Sequence, residues 1–299
     1  LDSFSIAFMN IAMIKYWCKD KYTPYLRPLV PSLSILAKNM YTKTKIEKSD
    51  KDIFVLNDVV QDEFETKKVF SFVDKVVNRK EKLKISSINT MPTAAGLASS
   101  SSAYAALTME LNRYFDLKLT RNMMAKISSQ GSGSSARSFY NICAYTKDCN
   151  IYEVPTNLDL LMLAIIVSSE KKKISSRDAM NICKNTSRDI RKWERKNKVY
   201  FLNAKKALKE NDFDSLGINM EKSTEFMHKT MLSSKPSFTY LTPRSKEIIW
   251  KIKELRKKGL NIYYTTDAGP NVKVLLQSKD KDKVINILKS IFKEKVVEC

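Results

Sequence analysis

Histidine is almost absent: His228 is the only one in 299 residues. That argues against a histidine-ligated metal site. It also removes any Ser–His or Cys–His catalytic pair that does not use His228. Cysteine is sparse and shows no C-x-x-C spacing. Cys18, Cys143, Cys149, Cys183 and Cys299 are odd in number, so reduced thiols in a cytoplasmic protein are expected. No run approaches the roughly 18 apolar residues that span a bilayer, and no membrane partner is expected. The opening LDSFSIAFMN has no basic region ahead of an apolar one, so no secretory signal is expected.

Acidic residues are also in short supply. Lys and Arg number 53 against 32 Asp and Glu, a formal charge of +21. Such an excess raises nucleic-acid binding as a rival function. The excess is mostly lysine, however, spread over 67–84, 171–173, 184–209 and 251–295 without an arginine-rich arm. A solvated basic surface is expected instead, one that attracts small polyanions and no nucleic acid.

Strand-like and helix-like segments alternate. The spacing of Phe64, Val69, Phe72, Val73, Val76 and Val77 predicts a helix within 61–79. Strands are predicted at 3–9, 33–46 and 83–88, with helices at 98–115 and 120–128. LMLAIIV (161–167) reads as a buried strand. Residues 178–231 read as largely helical, with Trp193, Tyr200, Leu202, Leu208 and Met220 spaced for burial. A helix at 244–258, a strand–turn–strand over NIYYTTDAGPNVKVLL and a closing helix at 279–293 complete a mixed α+β pattern.

The chemistry concentrates in small-residue loops. PTAAGLASSSS (92–102) precedes a predicted helix, whose first N–H groups and positive dipole end suit an anion. It lacks the Walker A lysine, so positive charge must come from Mg²⁺ or from elsewhere. A serine-rich helix cap is the competing reading. SQGSGSSARSFY (129–140) is a second such loop and is also expected to open a helix. Its Arg137 suits bidentate capture of a carboxylate or phosphate. In TTDAGPNV, Asp267 ends a strand before a Gly-Pro turn, and by itself could be an ordinary turn aspartate. NIAMIKYWCKD (10–20) reads either as an edge strand with solvated lysines or as a cationic rim with an aromatic hydroxyl.

These four stretches together resemble the mevalonate diphosphate decarboxylases, a branch of the GHMP kinase superfamily. NIAMIKYWCK is similar to that family's N-I-A-x-x-K-Y-W-G-K, and PTAAGLASS to its phosphate loop. GSGSSARS is similar to its G-S-G-S-x-x-R-S, and DAGPN to its D-A-G-P-N. The resemblance implies a two-domain α+β fold, with a ribosomal protein S5-like N-terminal domain over residues 1–170 and a ferredoxin-like C-terminal domain over 171–299. It implies ATP- and Mg²⁺-dependent conversion of mevalonate 5-diphosphate to isopentenyl diphosphate, ADP, phosphate and CO₂, in a homodimer.

The resemblance also implies site roles. Asp267, Lys15 and Arg137 are the catalytic set, with Arg137 holding the substrate carboxylate. Asn10, Tyr16, Lys19, Ser132 and Ser134 complete the substrate site. Gly96, Leu97, Ala98, Ser99, Ser100, Ser176 and Arg177 take the ATP phosphates, with Ser99 toward Mg²⁺. A related small-molecule kinase that stops at phosphorylation is the nearest rival; the Lys–Asp–Arg combination favours decarboxylation. The chain departs from the pattern at Cys18, where the family has glycine, at Val30-Pro31, where it has polar residues, and at Asn141-Ile142, where it has Gly-Gly.

Overall fold

A computed structural model describes residues 3–20, 27–90, 100–170 and 172–299. The first half runs β1 (Ser5–Ile14), β2 (Lys19–Asp20), β3 (Arg27–Pro28), β4 (Ser32–Ser49), β5 (Ile53–Leu56), β6 (Val59–Val60), α1 (Glu63–Val76), β7 (Lys82–Asn89), α2 (Ser100–Tyr114) and α3 (Arg121–Ser128). A 3₁₀ turn (Ser135–Phe139), β8 (Ile142–Tyr145) and β9 (Ile151–Glu153) close it. The second half runs β10 (Leu160–Ile166), α4 (Ser176–Thr186), α5 (Ile190–Glu210), α6 (Phe213–Leu232), α7 (Pro243–Lys257), β11 (Tyr263–Thr266), β12 (Val272–Gln277), α8 (Lys281–Ile291) and β13 (Lys295–Glu298).

The long strand β4 organises the first sheet. It pairs with β1 over residues 33–44, with β7 over 42–49 and with β8 over 32–35. Seven strands result, in the order β6-β5-β7-β4-β8-β9 with β1 laid against β4. Ala105, Ala106, Leu107 and Leu111 of α2 are buried, and the small side chains let that helix lie close to β1 and β4. The second sheet has the order β11-β12-β10-β13, all antiparallel. With helices between β10 and β11 and between β12 and β13, this is the split β-α-β-β-α-β plan of a ferredoxin-like domain.

One large apolar cluster spans the halves. Met9, Ile11 and Met13 of β1 share it with Phe201 and Leu208 of α5, Met220 of α6, and Met162, Tyr263 and Leu275 of the second sheet. The far face of that sheet packs a second cluster, including Ile248 and Ile252 of α7 and Val284 and Leu288 of α8. Helix starts follow their sequence signals. Asp62, Thr120, Ser175, Asp212 and Thr242 each accept a hydrogen bond from a backbone N–H in the first turn of the helix that follows.

Several expectations change. Loop 129–140 opens only a 3₁₀ turn, because the chain must enter β8 and pair with β4. The closing helix is shorter than 279–293, and β13 follows it, paired with β10. Leu202 is 53 % exposed and Phe64 74 %, each on the outer side of its helix. β10 (Leu160–Ile166) pairs with β12 and β13 in the second sheet.

Candidate active site

Lys15 follows β1 where its register with β4 slips between Ala12 and Ile14. An irregularity of this kind re-aims the next side chain. Lys15 is buried, which corrects the reading of a solvated lysine. Its Nζ donates to the Ala12 carbonyl at 2.9 Å and to Asp267 Oδ1 at 2.6 Å. Its backbone is fixed as well. Lys15 N–H donates to Ser223 Oγ at 2.9 Å, and Asn197 Nδ2 donates to the Lys15 carbonyl at 3.2 Å.

Asp267 leaves β11 into a turn that the sequence makes rigid. Asn271 Oδ1 accepts from Val167 N–H (2.7 Å) and Ser168 N–H (3.0 Å), tying the turn to the end of β10. Ser245, in the first turn of α7, donates to the Pro270 carbonyl at 2.7 Å. Asp267 Oδ2 accepts from Lys273 Nζ at 2.6 Å. The side chains of Lys15 and Lys273 are 1 % and 4 % exposed, that of Asp267 41 %. The carboxylate therefore has an open edge with two cations packed against it.

Burial works against the charge on Asp267, but Lys15 and Lys273 outweigh it and hold the carboxyl well below the usual range. Burial lowers Lys15 to about 8, with Asp267 opposing and Lys273 reinforcing the shift. His228 sits behind this pair. Its Nε2 lies 2.7 Å from Thr266 Oγ1, and burial, then Lys15, push it down to about 3. It stays neutral at physiological pH.

Arg137 lies in the 3₁₀ turn and is buried. Nε donates to Asn10 Oδ1 at 3.2 Å and Nη1 to Ser32 Oγ at 3.2 Å. Its guanidinium carbon is 5.1 Å from the centre of the Tyr16 ring. No carboxylate among the described residues pairs with it. Asn10 is oriented by donating to the Ser134 carbonyl (3.0 Å) and Ser138 Oγ (2.8 Å). Burial lowers the Arg137 pKa, yet a guanidinium remains charged.

The serine loops meet. Ser132 Oγ lies 3.1 Å from Ser134 Oγ and 3.3 Å from Ser100 Oγ, and Ser135 Oγ donates to the Ser100 carbonyl at 3.3 Å. Ser100 opens α2, while Ser101 and Ser102 are buried in its first turn. Gly96, Leu97, Ala98 and Ser99 lie outside the described residues. Tyr16 stacks on Tyr145 with ring centres 6.1 Å apart. A Cβ on Gly133 would fall 2.0 Å from the Tyr16 hydroxyl, so this close approach needs glycine. That hydroxyl is buried with no hydrogen-bond partner among the described residues.

Lys19, Ser176 and Arg177 form a rim. Burial, then Arg177, lowers Lys19 to about 8. Ser176 Oγ accepts from Lys172 Nζ at 3.4 Å. Lys172 feels the charges of Asp267 and Lys273, although burial dominates its lowered pKa. No hydrogen bond joins this rim to the Lys15–Asp267 pair among the described residues. A cavity of about 780 Å³ opens elsewhere, lined by Leu29, Arg195, Phe201 and others, and contains none of these residues.

The sequence reading missed Lys273, Ser32 and the Asn197–Ser223 pair that fixes Lys15. Lys273 carried one signal: a lysine inside the otherwise apolar VKVLL, where a charge survives only if paired. Two of the three departures now have physical descriptions. Cys18 has φ +66°, in the left-handed region that favours glycine, and its thiol donates to the Met180 carbonyl at 3.3 Å. Val30 is buried, and the Pro31 carbonyl accepts from Asn197 at 3.0 Å, so that turn serves packing.

Lys15, Lys273, Arg137, Lys19 and Arg177 outnumber the lone Asp267, so the cleft suits a polyanion. No group of three His, Cys, Asp or Glu gathers among the described residues. A Mg²⁺ ion here fits one held mainly by phosphates and water, with a hydroxyl from the serine loop. The two-sheet plan with such a cleft is that of a GHMP kinase-type protein.

Comparison with known proteins narrows this class. Residues 7–149 match the diphosphomevalonate decarboxylase-like N-terminal domain, and residues 162–298 match the mevalonate 5-diphosphate decarboxylase C-terminal domain. The diphosphomevalonate decarboxylase of Debaryomyces hansenii is 31 % identical over 97 % of this chain and 83 % of its own. Mevalonate pyrophosphate decarboxylase from Streptococcus pyogenes superposes with a TM-score of 0.93 at 34 % identity, covering 99 % of this chain and 95 % of that one. A complex described as MDDEF with MVAPP, AMPPCP and magnesium gives 0.91 at 35 %, covering 98 % and 94 %. The chain belongs to the mevalonate diphosphate decarboxylase family.

Proposed function

We propose that this chain converts mevalonate 5-diphosphate and ATP, with Mg²⁺, to isopentenyl diphosphate, ADP, phosphate and CO₂. The observation that carries this reading is the pairing of a lysine-clamped aspartate with a buried arginine that lacks a carboxylate partner among the described residues. The substrate supplies both missing groups: a tertiary hydroxyl for Asp267 and a carboxylate for Arg137. The relative solved with MVAPP, AMPPCP and magnesium supports the same pairing of substrates.

Asp267 aligns the C3 hydroxyl and takes its proton late, as the oxygen attacks the γ-phosphoryl group of ATP and ADP leaves. An aspartate held this far below the usual range is a weak base, so alignment outweighs early deprotonation. The C3–O bond then breaks and releases phosphate with its bonding electrons. The C1–C2 pair moves to form the C2=C3 double bond, and C1 departs as CO₂. Lys15 stabilises anionic charge at the transferring group. Arg137 holds the carboxylate so that the C1–C2 bond aligns with the vacated orbital at C3. Bound Mg²⁺ neutralises phosphate charge during transfer.

Asn10 keeps Arg137 oriented, while Tyr16, Lys19, Ser132 and Ser134 take the substrate diphosphate. Gly96, Leu97, Ala98, Ser99, Ser100, Ser176 and Arg177 take the nucleotide phosphates, with Ser99 toward the metal. We assign the protein to the cytoplasm as a homodimer, with its domains dividing ahead of β10. The test is incubation with ATP, Mg²⁺ and mevalonate 5-diphosphate. ADP, CO₂ and isopentenyl diphosphate should appear in equal amounts; ADP without CO₂ would identify a kinase.

A further inference from the structure

We propose that Lys273 is a positioning residue for Asp267: together with Lys15 it clamps the two carboxylate oxygens, fixing their plane and keeping them ionised toward the substrate hydroxyl. This rests on the assignment of Asp267 made above.

The placement is unusual for a lysine. It stands on β12, a central strand, paired with Ala164 on β10 and Thr265 on β11. Central strands are the stiffest supports in a sheet, which suits a group that must aim another. Burying an ammonium costs several kcal/mol unless it is paired, and Asp267 is its only ion partner among the described residues. A methionine there would pack without that penalty.

Holding the turn does not require this lysine. Asn271 and Ser245 already fix it from β10 and α7. What Lys273 adds is the second point of attachment on the carboxylate. With Oδ1 on Lys15 and Oδ2 on Lys273, both at 2.6 Å, the carboxylate cannot rotate without breaking a contact. Each oxygen keeps a further lone pair, and the exposed edge directs these into the cleft.

Several other groups face this cluster. Arg137 approaches from the 3₁₀ turn and Lys172 from the segment before α4. His228 approaches from α6, and Cys299 from the chain end after β13. None is bonded to the carboxylate. Removing Lys273 therefore has two electrostatic effects of the same sign. Asp267 loses a cation, so its pKa rises. Lys15 loses a like-charged neighbour, so its pKa rises above about 8.

The experiment compares Lys273→Met, Lys273→Gln and Lys273→Arg in kcat–pH profiles from about pH 5 to 10 and in ¹³C-carboxyl NMR titration of Asp267 without substrate. In the Met variant kcat should fall about 10- to 100-fold, with the ATP KM nearly unchanged. The alkaline limb, set by Lys15, should move to higher pH by about one unit. The Asp267 resonance should stay that of a carboxylate across this window but change position as Oδ2 loses its Lys273 donor. Arginine should restore both. If the Met variant does not fold, glutamine, a neutral donor to Asp267, carries the same measurements. An unmoved alkaline limb and an unmoved resonance would overturn the proposal, even where kcat falls, because a merely structural lysine gives that result. An active Asp267→Asn variant would instead refute the assignment of Asp267 itself.

Discussion

Replacing Asp267 with asparagine removes the one anion between two buried ammonium groups. Each contact of 2.6 Å carries a gross attraction of about 6 kcal/mol at an effective dielectric of about 20. Most of that offsets the desolvation of the ions themselves. What the variant loses is the compensation, and stranding buried charge costs about 3–5 kcal/mol. Lys15 can relieve this by shedding its proton. Lys15 stands at about 8 with Asp267 in place, and loss of the carboxylate takes it lower. An unfolded lysine keeps its proton to about pH 10.4. The unfolded chain then binds more protons than the native one, so stability rises with pH. In the wild type this rise begins near 8; in the variant it begins earlier. Denaturant unfolding at pH 6 should show the full deficit. It should narrow toward pH 8 by about 1.4 kcal/mol for each unit that Lys15 has fallen. The carboxylate's own contribution is constant over this window, because it is lost only as pH falls below the usual carboxylate range. Turnover should drop about 10²–10⁴-fold while ATP binding survives. A deficit that does not change with pH, or no deficit, would refute the view that buried Lys15 is charged against Asp267.

Arg137→Gln should lower kcat/KM for mevalonate 5-diphosphate by about 10²-fold, since the carboxylate loses its tether while the pocket stays closed around Tyr16 and Asn10; unchanged kcat and KM would remove Arg137 from the site. At Cys18 the usual ranking of alanine over glycine should reverse. Cys18→Gly should be more stable than Cys18→Ala by about 1 kcal/mol, because both lose the thiol but only alanine keeps the left-handed strain at φ +66°. Thermal or denaturant unfolding of the two variants decides it, and an alanine variant of equal or greater stability counts against the strain.

The parts legible in the sequence were those whose cause is local. LMLAIIV is a continuous apolar run, and it forms β10, buried between β12 and β13. Asp267 could be placed at the end of a strand beside a Gly-Pro turn, although that context alone also fits an ordinary turn aspartate and its role came from the resemblance of DAGPN. The parts that stayed hidden depend on distant partners. KVVE becomes β13 only because β10 offers it an edge. GSGSSARSFY looks like a helix start, but the pairing of β8 with β4 cuts the helix to one 3₁₀ turn. Lys15 and Asp267 are 252 residues apart, and nothing near either one states that they touch. In a chain with 53 basic residues, Lys273 is marked only by its place in the apolar VKVLL, and its partner appears only once its neighbours are placed.

The buried cations also share a physical character. Lys15, Lys273 and Arg137 each break the rule that cations stay at the surface. All three converge on one cleft, where the violation yields a fixed carboxylate and a guanidinium free to take another. Breaking a local rule at a functional site is how a fold gives up stability for chemistry. Cys18 breaks a rule too, with a side chain in left-handed backbone, but among the described residues its thiol donates only to the Met180 carbonyl. Burial, then Cys183, holds that thiol well above its ordinary pKa, which makes it a poor nucleophile. Its place in the packed cluster with Trp17, Met180 and Trp193 accounts for the side chain, and the torsion is the cost of that packing.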